Sequence, residues 1–200
     1  RAMHGADAYP GSPWLLAHAL RMQDRIACCE LQPDEAAALK ANFAGDARMA
    51  VHARDGYAAV KALLPPRIDG ERYARGLVLV DPPYEAQLRE FDAAFSALRD
   101  GLARWPQATF ALWYPIKQRR DLQPMLREAV ALPAKSALLA ELLVRADDSP
   151  LRMNGSGMLL LNPPFALEDR LRPALAALRA MLEEGDGRGD SRMAWLRPRD

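Results

Sequence analysis

Short apolar runs that end on an acid, each followed by an amphipathic stretch, limit what this chain can fold into more than any other feature. The sharpest is Gly76–Val80 (GLVLV), which leads into Asp81-Pro82-Pro83-Tyr84. Five residues are too few for a helix, and an unbroken β-branched run suits a strand buried on both faces. Upstream, Ile26–Leu31 (IACCEL) carries Glu30, and Met49–Ala53 leads into Arg54-Asp55-Gly56. Downstream, Thr109–Trp113 leads into Tyr114-Pro115. Helical stretches alternate with these runs: Trp14–Met22, Pro33–Phe43, Tyr57–Leu64, Leu88–Arg104 and Asp121–Ala131. Ser12-Pro13 opens the first, with serine predicted as the cap and proline at the first helical position. Two further strands, Ser136–Val144 and Met158–Leu161, have only a polar loop with Asn154-Gly155-Ser156-Gly157 between them, which predicts an antiparallel pair. A long helix over Ala166–Glu184, a turn at Gly185–Gly189 and an edge strand over Ser191–Leu196 complete the pattern.

Strands alternating with helices predict an α/β fold, a Rossmann-like parallel sheet covered on both faces, here with an antiparallel hairpin at one edge. A chain of 200 residues suffices for a single domain over residues 1–200. It opens on Arg1 with no strand before the first helix, so a preceding segment is expected. In such sheets ligands bind beyond the carboxyl ends of the strands. The strand exits are therefore where chemistry is expected.

Composition narrows the partners. The formal net charge is +1, so any nucleic-acid contact must come from local clusters of charge. Cys28 and Cys29 are adjacent; on a strand they point to opposite faces and suit neither a disulfide nor a metal. His4, His18 and His52 have no ligand or triad spacing, and no metal is expected. No run approaches the ~20 apolar residues of a membrane helix, and no leader peptide is visible. A cytoplasmic monomer away from the membrane is the expectation.

Asp-Pro-Pro-Tyr suits one demanding reaction. The exocyclic amine of a base is a poor nucleophile because its lone pair is delocalised into the ring. Acceptors for its hydrogens, here the Asp81 carboxylate and the Pro82 carbonyl, let the lone pair turn towards a methyl donor. Pro82 and Pro83 stiffen the backbone. Tyr84 is expected to offer a flat face to a base taken out of its stack, and positioning would supply much of the rate. The other exits suit a nucleoside-bearing cofactor. Glu30 can accept from ribose hydroxyls, and Asp55 with the Gly56 backbone can read its adenine. The helix start at Ser12 can meet a carboxylate. Tyr114, Lys117, Arg119 and Arg120 follow the fourth strand on the same side, where the cations can hold phosphates. Each also has a plainer reading, as a helix cap or a solvated turn. Asn162-Pro163-Pro164-Phe165 repeats the motif's pattern but belongs to the hairpin, and is expected to be a structural strand exit.

Together, Tyr-Pro-Gly-Ser-Pro at 9–13, Glu-Leu-Gln-Pro at 30–33, Arg-Asp-Gly-Tyr at 54–57, Leu-Val-Leu-Val-Asp-Pro-Pro-Tyr-Glu at 77–85, Ala-Leu-Trp-Tyr-Pro at 111–115 and Gly-Ser-Gly-Met through Asn-Pro-Pro-Phe at 155–165 closely resemble the RlmJ (YhiR) family. These are bacterial methyltransferases that form N6-methyladenine in 23S ribosomal RNA. The resemblance implies a class I S-adenosylmethionine-dependent fold. It implies Asp81 as the acceptor of the amine, Ser12, Glu30, Asp55 and Gly56 as contacts of S-adenosylmethionine, and Tyr84 against the target adenine. The family also has an N-terminal basic-histidine motif and a first strand with a glycine-rich loop for the cofactor's methionine end. The sequence here starts just upstream of Tyr9 and holds neither.

Two rivals share the motif. One is a DNA adenine-N6 or cytosine-N4 methyltransferase, separated by whether DNA or RNA is modified. The other is a non-catalytic, competence-type nucleic-acid-binding protein, whose cellular role would survive Asp81→Ala.

Overall fold

The computed structural model describes residues 10–68, 70–84, 87–150, 153–184 and 188–198. His4, Tyr9, Glu85 and positions 185–187 of the expected turn lie outside the described residues. Contacts gather into two compact units, 1–62 and 63–200, where the sequence reading has a single domain.

The first unit is a β-α-β arrangement. β1 (Ile26–Glu30) and β2 (Met49–Ala53) pair in parallel, with Ile26 opposite Met49 and Glu30 opposite Ala53. α2 (Pro33–Asn42) connects them and packs on both. α1 (Ser12–Ala19) precedes them and α3 (Gly56–Leu63) follows. The expected serine cap is absent: Gly11 is the N-cap residue of α1 and Ser12 its first helical residue, with no capping hydrogen bond from a side chain. Proline at the second position already supplies helical φ and removes an orphan N–H, so the helix starts without the hydroxyl. Arg48 secures the other end of α1, donating to the Ala17 and Leu20 carbonyls at 2.8 Å each. Asp46 holds that guanidinium at 2.6 Å. The hydrogen bonds from Arg48 lower the Asp46 carboxyl to about 2.

The second unit holds a five-stranded sheet in the order β5-β6-β8-β7-β9. It is preceded by a two-residue hairpin, β3 (Arg67–Ile68) with β4 (Glu71–Arg72), too short to show as a sequence pattern. β5 (Leu77–Val80) and β6 (Thr109–Ile116) are parallel, linked by α4 (Gln87–Arg104). A single 3-10 turn, Arg119–Leu122, and α5 (Gln123–Ala131) lead to β7 (Ala137–Leu143). β8 (Gly155–Leu161) is antiparallel to both β6 and β7 and lies between them. α6 (Leu167–Leu182) and β9 (Asp190–Arg197) follow, with β9 pairing antiparallel to β7.

The antiparallel pairing of the two late strands is as expected. Its place is not at the edge: β8 is interior, and β9 takes the edge expected for Ser191–Leu196. Gly155–Gly157, expected in the loop, begins β8. Alternation builds the core. Ala111, Leu138 and Leu160 face one side and meet Leu167 and Leu171 of α6. Phe110, Leu112, Leu139, Leu159 and Leu161 point to the other and are fully buried.

Candidate active site

The carboxyl end of β5 delivers Asp81, Pro82, Pro83 and Tyr84. Asp81 is exposed, Pro82 buried and Pro83 exposed. Among the described residues the Asp81 carboxylate and the Pro82 carbonyl have no hydrogen-bond partner. Partial burial pushes the Asp81 carboxyl above the usual carboxylate range, and no cation among the described residues reverses that. These are the two acceptors that the amine chemistry is expected to use, and no described residue occupies either.

Tyr84 does something other than the sequence reading assigns it. It is 7% exposed, with its ring tilted against Phe91 (centroids 5.1 Å apart) and Trp113 (5.7 Å), so it offers no open stacking face. Its hydroxyl donates to the Trp113 carbonyl on β6. Burial beside two aromatic rings is favourable for a phenol whose O–H finds a partner. Its backbone sits at φ 53°, the left-handed region that aromatic residues seldom adopt. Tyr84 therefore ties the loop to the neighbouring strand in a strained conformation, and leaves the head of the motif outside.

The first unit brings Glu30 and Asp55-Gly56 to the carboxyl ends of β1 and β2, where Arg54 N–H donates to the Glu30 carbonyl at 2.9 Å. One Glu30 carboxylate oxygen accepts from Gln32 N–H at 2.8 Å. The Asp55 oxygens accept from Tyr57 N–H (3.0 Å) and Ala58 N–H (3.2 Å), which makes it the cap of α3. Each carboxylate oxygen carries further lone pairs, so both groups keep acceptor capacity. A Cβ at Gly56 would stand 3.9 Å from that of Cys29, in ordinary contact. Its backbone, rather than its missing side chain, is what the site can use. Ser12 is exposed at the start of α1.

After β6 the four residues expected on the substrate side divide. Lys117 and Arg120 are exposed. Tyr114 and Arg119 are not substrate groups here. Tyr114 is fully buried and donates to Glu141 at 3.0 Å; burial first, then the charge of Glu141, raises its phenol far above the ordinary range, so it stays a donor. Arg119 is committed to Glu141 (2.9 Å) and Asp190 (2.6 Å). Desolvation explains both, since a guanidinium near the sheet is stable only when paired. Glu141 is the residue that sequence reading missed. Its signal was a lone carboxylate within the otherwise apolar Ala137–Leu143, which a buried strand tolerates only with a partner.

Asn162 of the second motif is fully engaged. Its side-chain oxygen accepts from Lys135 N–H (2.7 Å), its amide donates to the Pro106 carbonyl (3.1 Å), and its backbone carbonyl accepts from Thr109 Oγ1 (2.8 Å). The structural reading of that motif holds. Among the described residues no set of three or more His, Cys, Asp and Glu side chains could hold a metal ion, and no helix is long and apolar enough to cross a membrane.

Comparison with known proteins bears on this geometry. A family model described as ribosomal RNA large subunit methyltransferase D, RlmJ, matches residues 2–197. Ribosomal RNA large subunit methyltransferase J of Haemophilus influenzae is 37% identical over 190 residues, and that of Escherichia coli 35%. Each alignment covers 95% of this chain and 65% of the relative, so the chain spans just under two thirds of their length. A crystal structure of a Legionella pneumophila protein superposes with a TM-score of 0.79 at 26% identity, over 93% of this chain and 66% of that one.

Proposed function

Because the chain belongs to the RlmJ family of ribosomal RNA large subunit methyltransferases, we propose that the protein of which it is part transfers a methyl group to the N6 amine of an adenine in 23S ribosomal RNA, in the cytoplasm. The observation that carries this reading is a pair of acceptors, Asp81 and Pro82, with no hydrogen-bond partner among the described residues, on a loop strained at Tyr84. The Asp81 carboxylate and the Pro82 carbonyl accept the two amine hydrogens. That takes the nitrogen lone pair out of conjugation with the ring and aims it. Loop rigidity from Pro82, Pro83 and the Tyr84–Trp113 bond fixes the acceptors before the base arrives, so little reorganisation is left for the reaction.

S-adenosylmethionine supplies the methyl group when bound. Glu30 would accept from its ribose hydroxyls. Asp55 and the Gly56 backbone would read its adenine, and Ser12 at the start of α1 would meet its carboxylate. The free lone pairs on both carboxylates fit that donor set. Lys117 and Arg120 would contact RNA phosphates, which orient the substrate without reading its sequence.

The test is methyl transfer by the intact protein. It is incubated with labelled S-adenosylmethionine and unmodified large-subunit ribosomal RNA, and the RNA is digested to nucleosides. Label in N6-methyladenosine is the expected result. Label in DNA alone, or in N4-methylcytosine, would replace the substrate with that of a DNA enzyme. RNA binding with no transfer would favour the non-catalytic reading.

A further inference from the structure

The inference rests on the reading that RNA meets the carboxyl ends of β5 and β6. Tyr114 on β6, Gly157 on β8, Glu141 on β7 and Arg192 on β9 are register partners in one row across four strands. Gly157 is the gap in that row. A Cβ there would lie 2.3 Å from the Tyr114 ring, so glycine is what lets the phenol cross β8 and reach Glu141, itself 2% exposed. The other Glu141 oxygen takes Arg119 Nε from the segment that leaves β6.

That segment is fixed at several points. Arg119 Nη1 reaches Asp190 at 2.6 Å, and Arg119 N–H donates to the Asp147 carboxylate at 2.8 Å. Asn154, fully buried, donates its side-chain amide to the Lys117 carbonyl at 2.7 Å and its backbone N–H to the Ile116 carbonyl at 2.8 Å. Between these clamps Lys117 projects, exposed and with no partner among the described residues. The Arg120 side chain is 81% exposed, and its ion-pair partner among the described residues is the adjacent Asp121 at 3.8 Å. Buried ion pairs seldom stabilise a fold better than apolar residues of similar volume. Stability alone is therefore a weak account of a carboxylate inside β7.

We propose that the buried Tyr114–Glu141–Arg119 network is a positioning device, which holds Lys117 and Arg120 at the carboxyl end of β6 as a preformed contact for RNA phosphates. A loop ordered in advance loses less conformational entropy when RNA binds. Glu141 and Arg119 act through Lys117 and Arg120 and touch no substrate.

The experiment is a double-mutant cycle on RNA binding by the intact protein, with a fragment of large-subunit ribosomal RNA and a salt series. Lys117→Ala should weaken binding about fivefold, the size of one exposed ionic contact. It should also lower the slope of log affinity against log salt by about one. Glu141→Gln keeps the size of the side chain and an acceptor for Tyr114, but removes the charge that holds Arg119. It should weaken RNA binding by a similar factor and leave S-adenosylhomocysteine affinity unchanged. In its background Lys117→Ala should add less than about twofold, because the two residues are coupled. Strictly additive losses, or a Glu141→Gln protein with unaltered RNA affinity and salt slope, overturn the proposal. If Glu141→Gln does not fold, Arg119→Lys takes its place, since one ammonium cannot serve Glu141 and Asp190 together. A wild-type protein that binds the RNA and methylates none of it refutes the functional reading alone. One that binds no RNA refutes both.

Discussion

Two tetrapeptides of one pattern, Asp-Pro-Pro-Tyr at 81–84 and Asn-Pro-Pro-Phe at 162–165, leave strands of the same sheet beside a left-handed residue, Tyr84 at φ 53° and Asn162 at φ 51°. In the first, the polar head has no partner among the described residues and the aromatic tail is buried. In the second, the head is saturated by hydrogen bonds and the tail, Phe165, is 86% exposed. Strand direction explains the difference. β8 runs against β5 and β6, so its exit lies at the opposite end of the sheet, where the ends of β6 and β7 need joining. The proline pair makes a stiff exit in both places. An exit can do chemistry only where its first side chain keeps acceptor capacity to offer, which is the property the proposed role of Asp81 requires.

Substitutions that exchange the two heads should break this comparison most visibly. Asp81→Asn keeps an amide oxygen as acceptor but loses the carboxylate's charge, and should lower methyl transfer by about tenfold, the difference between a charge-assisted and a neutral hydrogen bond. Its thermal midpoint should hold or rise. Burial raises the Asp81 pKa in the folded state, so its contribution favours the fold below the unfolded pKa and is lost as pH rises through the folded value. At neutral pH the ionised group opposes folding, and the amide removes that opposition. Calorimetry and a transfer assay on one preparation check both halves.

The reciprocal change, Asn162→Asp, should leave turnover per folded molecule intact. It turns a donor towards the Pro106 and Ala108 carbonyls into an acceptor, at about 1–3 kcal/mol. For a chain of this size that lowers the melting midpoint by about 2–4 °C per kcal/mol. Equal losses of activity from the two exchanges would erase the distinction between them. Tyr84→Phe sharpens the comparison from the other end: losing the bond to the Trp113 carbonyl should destabilise by about 1 kcal/mol. It should reduce kcat more than cofactor affinity, measured by single turnover and titration. The smallest effect is on pH dependence. Asp81 must be ionised to accept the amine, so the acid limb of kcat/KM, which reports the free enzyme, should lie above the ordinary carboxylate range, and a limb within that range would remove the role given to burial.

Features decided within a few residues were legible in the sequence. Met49–Ala53 is read with the same bounds that β2 has, because an apolar run and the Arg-Asp-Gly that follows it are local signals. The Asp81 exit was legible for the same reason. What escaped depends on distant partners. Tyr114 meets Glu141 27 positions away, and Arg119 meets Asp190 71 positions away, so both look like exposed strand-end groups until the sheet is assembled. Gly155 and Gly157 look like turn residues. In the fold they leave room for Leu142 and for the Tyr114 ring, which only the pairing of β8 reveals.

The interior place of β8 has a consequence for how the chain assembles. β7 leaves the ribosome before either of its neighbours, since β8 and β9 both follow it in the chain. Until they arrive, Ala-Leu-Leu-Ala-Glu-Leu-Leu is an apolar strand with two open edges, the kind of segment that recruits other nascent chains. Glu141 interrupts that run at a position where charge is costly to bury unpaired, so association with a foreign strand is penalised while native pairing, which brings Arg119, is not.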